Sequence, residues 1–226
     1  MSLKQSYCRY RIFFAKTDAA RFIGHLDLQS LFQKAIKRAK LPVAYSEGFN
    51  PHQLLSFAAP LPLGMTGHAE ILEVFLINEV QTADIASGLN SQMPMGLSVI
   101  NVQEVPSIGK SAAALVQNAT YGITFSETFD LANVIQEIMS SENVQVKKEA
   151  KKKGRKEIVT VDIRPDILGL EIESERNLRA VLACGSERNL KPEILAGHIL
   201  KVANIAPEDC DIIYERLAIG QDVPPL

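Results

Sequence analysis

The sequence predicts an α+β protein made of two tandem ferredoxin-like units, each with an antiparallel sheet and the element order β-α-β-β-α-β. Three observations carry this expectation. Apolar residues alternate at period two in Tyr10, Ile12 and Phe14, and again in Tyr121, Ile123 and Phe125, the pattern of a strand with one buried face. Each stretch is followed by an amphipathic helical pattern and then by further extended segments, so one order runs through the chain twice. The length of 226 residues suits two units of about 110 residues each.

The elements follow in chain order. After the first strand, Leu28, Leu31, Phe32, Ala35, Ile36 and Ala39 recur at helical spacing, with Gln33, Lys34, Lys37 and Arg38 on the outer side. Asp27 suits the N-cap or first turn, and Pro42 stops the helix. Residues 43–45 and 54–58 read as short extended pieces around the turn Gly48-Phe49-Asn50-Pro51. A nearly continuous apolar strand runs over 70–77, Thr82 caps a short helix, and 97–105 gives another strand.

Residues 109–118 have little periodicity and read as a linker between a unit at 1–108 and a unit at 119–226. In the second unit, Leu131, Val134, Ile135, Ile138 and Met139 form a helix face. Residues 144–148 and 157–163 read as arms of a hairpin tipped by Lys151, Lys152, Lys153 and Gly154. Extended segments follow at 170–173 and 177–183, Pro192 opens a helix, and 210–219 closes as a strand.

Composition narrows the function classes. Hydrophobic residues make up 46% and charged residues 22%, ordinary globular usage that excludes a disordered tail, a collagen-like rod and a coiled coil. No apolar run reaches the ~18 residues of a membrane span, and Lys4, Arg9 and Arg11 interrupt any leader, so a soluble, cytoplasmic protein is expected. The three cysteines are widely spaced and lack the pattern of a zinc site, a redox pair or an iron–sulfur cluster. No metal and no cofactor is expected.

The net charge of −2 conceals an uneven distribution. Residues 1–40 carry nine basic side chains against Asp18 and Asp27, and residues 147–156 carry seven against Glu149. If Tyr10, Ile12 and Phe14 face the helices, Arg9, Arg11 and Phe13 project from the other sheet face. Basic and aromatic side chains interleaved on an open sheet suit RNA, holding phosphates and stacking bases. Arg9, Arg11, Lys34, Lys37, Lys151, Lys152 and Lys153 are the candidate nucleic-acid contacts, with a solvated loop as the bland alternative for the hairpin.

Polar chemistry concentrates between residues 21 and 73. Arg21, His25, Asp27, Glu47, Asn50 and His52 are the candidate pocket, set in two glycine-bearing turns that let backbone approach a ligand. His25 and His52 are candidates for general acid or base catalysis, for a metal, for polar ligand binding, or for plain turn hydrogen bonding. No local ligand spacing supports a metal.

The runs Tyr10-Arg11-Ile12-Phe13-Phe14-Ala15-Lys16, Arg21-Phe22-Ile23-Gly24-His25-Leu26-Asp27-Leu28 and Tyr45-Ser46-Glu47-Gly48-Phe49-Asn50-Pro51-His52 resemble the radical-SAM-linked family of conserved bacterial proteins. So do Ser56-Phe57-Ala58, Pro62-Leu63-Gly64, Asp162-Ile163-Arg164-Pro165 and Glu215-Arg216. Where that family often has Ser the chain has Gly24, and Gln53-Leu54 replaces a basic residue after His52. The resemblance implies a domain of unknown biochemical activity, found fused to or encoded beside a radical-SAM protein in an RNA-related setting. The expectation is an accessory module that binds RNA or presents a substrate to a radical-SAM partner. The alternatives are an RNA-processing or RNA-modifying enzyme using a His acid or base, and a protein-interaction adaptor.

Overall fold

The computed structural model describes residues 7–152 and 155–220, with the side chains of 149–156 left outside the description. The architecture is α+β, with mostly antiparallel strands and few helices. The chain divides into two compact units: residues 1–116 together with Arg216 onward, and Gln117–Glu215.

In the first unit, β1 (Cys8–Lys16) leads through a short 3-10 turn at Asp18–Phe22 into α1 (His25–Arg38). Gly24 takes the N-cap place, which puts Asp27 in the first turn, where its charge meets the positive end of the helix. The helix ends before Pro42 because Lys40 turns into the left-handed region at φ 54°. Strands β2 (Leu55–Phe57) and β3 (Thr66–Leu76), helix α2 (Thr82–Asn90) and strand β4 (Leu97–Val105) follow. The central strand β1 pairs antiparallel with both β3 and β4, and β2 pairs antiparallel with β3.

Residues 43–45, expected as a strand, hold only single bridges, Val43 to Leu76 and Tyr45 to Gln53. Tyr10, Ile12 and Phe14 bury themselves with Leu28, Phe32 and Ile36 of α1 and Leu72, Val74 and Leu76 of β3. Each large side chain of this set contributes roughly 1.5–3 kcal/mol.

The stretch read as a linker contains a one-turn helix, α3 (Ala112–Leu115), capped by the Ser111 hydroxyl. In the second unit come β5 (Asn118–Phe125) and α4 (Leu131–Ser140), whose N-cap Asp130 accepts from the Asn133 N–H at 3.0 Å. A separate two-stranded ribbon of β6 (Gln145–Lys152) and β7 (Arg155–Asp162) replaces the shorter hairpin arms that were expected. Asp162 fastens its base by accepting from the Val144 and Arg164 N–H groups. Then come β8 (Ile167–Ile172), β9 (Asn177–Ala183), α5 (Pro192–Val202) and β10 (Ile212–Ile219), whose residues from Arg216 on belong to the first unit. Strand β9 pairs antiparallel with β5 and β8. No helix among the described residues is long and apolar enough to cross a membrane.

Candidate functional site

The polar residues singled out in the sequence fall on two neighbouring segments of the first unit. At the start of α1, His25 is exposed and lies edge-on to Phe57, with ring centres 5.3 Å apart. Phe57 in turn meets Phe14 and Phe32, so His25 caps an aromatic stack that reaches into the core. Asp27 is exposed one turn in. Arg21 is half-buried, its guanidinium 4.8 Å from the centre of the exposed Phe22 ring.

The second segment is the loop 45–53. Ser46 and His52 close it: their side chains meet at 2.8 Å, the His52 N–H donates to the Ser46 hydroxyl, and the Ser46 N–H donates to the His52 carbonyl. Glu47, Asn50 and His52 are exposed, and Phe49 stands wholly in solvent. The buried Gln53 docks the loop on α1, donating to the Gln33 carbonyl at 3.2 Å and reaching the Tyr45 hydroxyl at 3.5 Å. His25 and Gln33 are eight residues apart on the helix, about 12 Å along its axis. The loop therefore rests on the middle of α1 and the His25 group sits at its end. The six candidate residues form two groups, Arg21, His25 and Asp27 at the start of α1 and Glu47, Asn50 and His52 on the loop docked at its middle.

The basic residues divide sharply. Lys34 and Lys37 are exposed on α1, as is Arg38. Lys37 lies one turn beyond Gln33, on the side of the helix where the loop docks. Arg9 differs from its expectation. It does project from the sheet face opposite the helices, but that face is not open there: Arg9 is 3% exposed, donates to Glu73 at 2.7 Å and to the Lys110 carbonyl at 2.7 Å, and lies against Phe75. Residues 106–112 cover it, because Glu73 also accepts the Ala112 N–H at 2.9 Å. Arg11 is mostly buried beside the same carboxylate, at 3.5 Å. A guanidinium spent on Glu73 is not presented to a phosphate. Of the hairpin lysines, Lys153 lies outside the described residues, and Lys151 and Lys152 are placed by backbone register only, opposite Lys156 and Arg155.

Sequence reasoning missed the buried charges beneath this site. Glu70 is 3% exposed and Arg216 is 2% exposed; Arg216 donates to Glu70 through Nε at 2.8 Å and through a terminal nitrogen, and also to the Ala59 and Pro60 carbonyls. Lys16, also buried, donates to the Arg21 carbonyl at 3.1 Å. Burial pushes its ammonium below the usual lysine range, against the opposing pull of Glu70. The available signal was Glu70 and Glu73 standing inside an otherwise apolar strand. His68 is half-buried, and His198 sits half-buried on α5 at the rim of a cleft.

Among the described residues, no group of three or more His, Cys, Asp or Glu side chains converges as a metal site. The arrangement presents hydrogen-bonding side chains, exposed aromatic rings and ammonium groups on one helix and its docked loop. Such a surface can bind a ligand.

No curated protein matches the chain. Residues 9–192 match the model of a family described as uncharacterized proteins conserved in bacteria (DUF2344), and the chain belongs to that family.

Proposed function

We propose that this chain is an accessory, non-catalytic module that binds RNA and acts with a radical-SAM partner enzyme. The radical-SAM partner rests on the resemblance of the motifs alone. The RNA reading rests on one observation in the structure. The exposed Tyr45 and Phe49 stand on a loop docked at Gln33, and Lys34 and Lys37 are exposed on the same helix. Aromatic faces beside ammonium groups suit unpaired bases and their phosphates, with about 1–3 kcal/mol for each stacked base. Asn50 and His52 supply hydrogen-bonding groups on the same loop. This surface takes the place of the sheet face that Arg9 and Arg11 were expected to offer.

The proposal also includes the ferredoxin-like reading of both units. It is supported by the neighbour order β4-β1-β3-β2 in the first unit and β10-β5-β9-β8 in the second, with the β6–β7 ribbon as an extra hairpin.

Fluorescence titration of the full chain with a labelled single-stranded RNA tests this reading. Binding is expected to weaken with a steep linear slope in log salt, as counterion release requires. Phe49→Ala with Tyr45→Ala should weaken it by about tenfold or more, and Lys34→Glu with Lys37→Glu should also flatten the salt slope. Affinity that is unchanged in both double variants would overturn the assignment of this surface.

A further inference from the structure

The second unit holds a cleft of about 240 Å³ between the last turn of α4, the start of β6 and α5. Ile138, Val144 and Val202 supply its apolar lining. Asn143, Gln145, His198, Lys201 and Glu137 line it as well, with Ser141. Asn143, Gln145, Glu137 and Lys201 are exposed and His198 is half-buried.

None of these five side chains has a hydrogen bond or ion pair to another described residue. Polar groups that serve the fold are spent on it, as Arg9, Glu73, Glu70 and Arg216 are. Here the five groups line one cleft beside three apolar side chains, a concave and mostly polar lining that suits a small polar ligand.

The chemistry of the rim selects the ligand. Two carboxamides and a carboxylate offer mixed donors and acceptors, which match the edge of a nucleobase. The half-buried imidazole offers a flat face for the ring; burial first, and then the Lys201 charge, hold its pKa below the ordinary value against the opposing pull of Glu137, so the uncharged ring is favoured. Lys201 supplies a cation at the cleft, and the exposed Lys147 and Lys148 continue along β6 just beyond Gln145. The acids near the cleft are Glu137 on α4, Glu142 in the turn after it and Asp162, which accepts the Val144 N–H and pairs opposite Gln145; the cations are Lys201 of α5 and, farther along β6, Lys147 and Lys148.

We propose that this cleft is a nucleotide-binding site, with the base between His198 and the carboxamides of Asn143 and Gln145 and the phosphate on Lys201 and Lys147. The nucleotide comes either free or as an unpaired residue of an RNA strand, and the two sources share this chemistry. The site is separate from the α1 surface of the first unit and stands without it.

The test is titration of the full-length chain, followed by isothermal calorimetry, with the four 5′-mononucleotides, the matching nucleosides and a single-stranded RNA octamer. At least one mononucleotide should bind saturably at millimolar concentration or below, and its nucleoside at least fivefold more weakly. Lys201→Glu should weaken nucleotide binding tenfold or more, and Asn143→Ala with Gln145→Ala should do the same for nucleotide and nucleoside alike. All these positions are exposed, and an unchanged thermal melt checks that each variant folds. Lys34→Glu with Lys37→Glu should leave mononucleotide binding intact, which separates this site from the α1 surface. In the Lys34→Glu, Lys37→Glu background, octamer affinity more than tenfold above that of the mononucleotide and lost with Lys201→Glu identifies RNA as the source, and equal affinities identify a free nucleotide; both support the site. No saturable binding of any mononucleotide, with none of the octamer in the Lys34→Glu, Lys37→Glu background, or binding indifferent to Lys201→Glu and to Asn143→Ala with Gln145→Ala, overturns it.

Discussion

Lys16, Glu70 and Arg216 show how a buried charge is tolerated when its neighbours are fixed. Glu70 and Arg216 satisfy each other, and the remaining guanidinium hydrogens go to the Ala59 and Pro60 carbonyls, so Arg216 also holds the segment leading to Gly64. Lys16 is the costlier member, because its cation is buried for one carbonyl contact with Arg21. Glu70 keeps the Arg216 guanidinium when Lys16 is replaced, so an apolar side chain of similar shape there removes a desolvation cost without stranding a charge. Lys16→Met is therefore expected to raise stability by about 1 kcal/mol at pH 7. The sign with pH follows from the lowered folded-state pKa: as pH rises from that value toward the unfolded one, the native state releases its proton first and the wild type gains stability. The advantage of Lys16→Met should thus shrink in alkaline buffer. Urea unfolding of both proteins at pH 7 and at alkaline pH checks this, and an advantage that grows with pH would contradict it.

At the scale of elements, β4 carries a device that its sequence alone does not announce. It is the outer strand beside β1, and an unpaired edge invites pairing with another chain. The Asn90 side chain at the end of α2 donates to the Val99 carbonyl at 3.0 Å and accepts the Val99 N–H at 2.7 Å, closing the edge there as a neighbouring strand would. The Asn101 side chain accepts the Val102 N–H. Asn90→Ala leaves both Val99 groups to water and is expected to cost about 1–3 kcal/mol and to increase self-association. Denaturant unfolding and light scattering measure the two effects; a variant as stable and as dispersed as the parent would refute the role.

The period-two pattern of 10–14 placed Tyr10, Ile12 and Phe14 on the helix-facing side correctly, because burial on a pleated strand enforces alternation. The same pattern could not show whether the other face was covered. That depended on residues 106–112, which have no periodicity of their own and are held over Arg9 by Glu73 and backbone groups.

At the scale of the whole molecule, the two units are not two consecutive halves of the chain. Arg216 and the residues after it belong to the first unit, although 99 residues of the second, Gln117–Glu215, intervene. A fragment ending at Val116 keeps every strand from β1 to β4 but loses Arg216, leaving Glu70 buried without its guanidinium. Removing one partner of a buried pair costs about 3–5 kcal/mol. The 1–116 fragment should accordingly unfold at much lower denaturant than the first unit does in the full chain, and Glu70→Gln in the fragment should recover part of the loss. A fragment as stable as the intact unit would show that the returning segment contributes nothing.

The candidate site was legible in part for the same reason as the strands. Polar and glycine-bearing runs such as 21–27 and 45–52 serve no core, so they stood out, and the structure leaves His25, Asp27, Glu47, Asn50 and His52 exposed. Their grouping was not legible, since it depends on Gln53 reaching a carbonyl of α1 twenty residues earlier. The cleft at His198 was hidden as well, because its groups come from α4, β6 and α5.

By itself the sequence determined the α+β class, the two strand patterns with one buried face and the polar runs that belong to no core. These are local matters of periodicity, propensity and composition. Only the tertiary structure decided which charges are spent and which are available. Arg9 and Lys37 are alike in a list of basic residues, yet one is enclosed by Glu73 and backbone carbonyls and the other faces water. The physical reason is that ion pairing and burial join residues far apart in the chain, as at Arg9 with Glu73 and Glu70 with Arg216, and no local pattern encodes the partner.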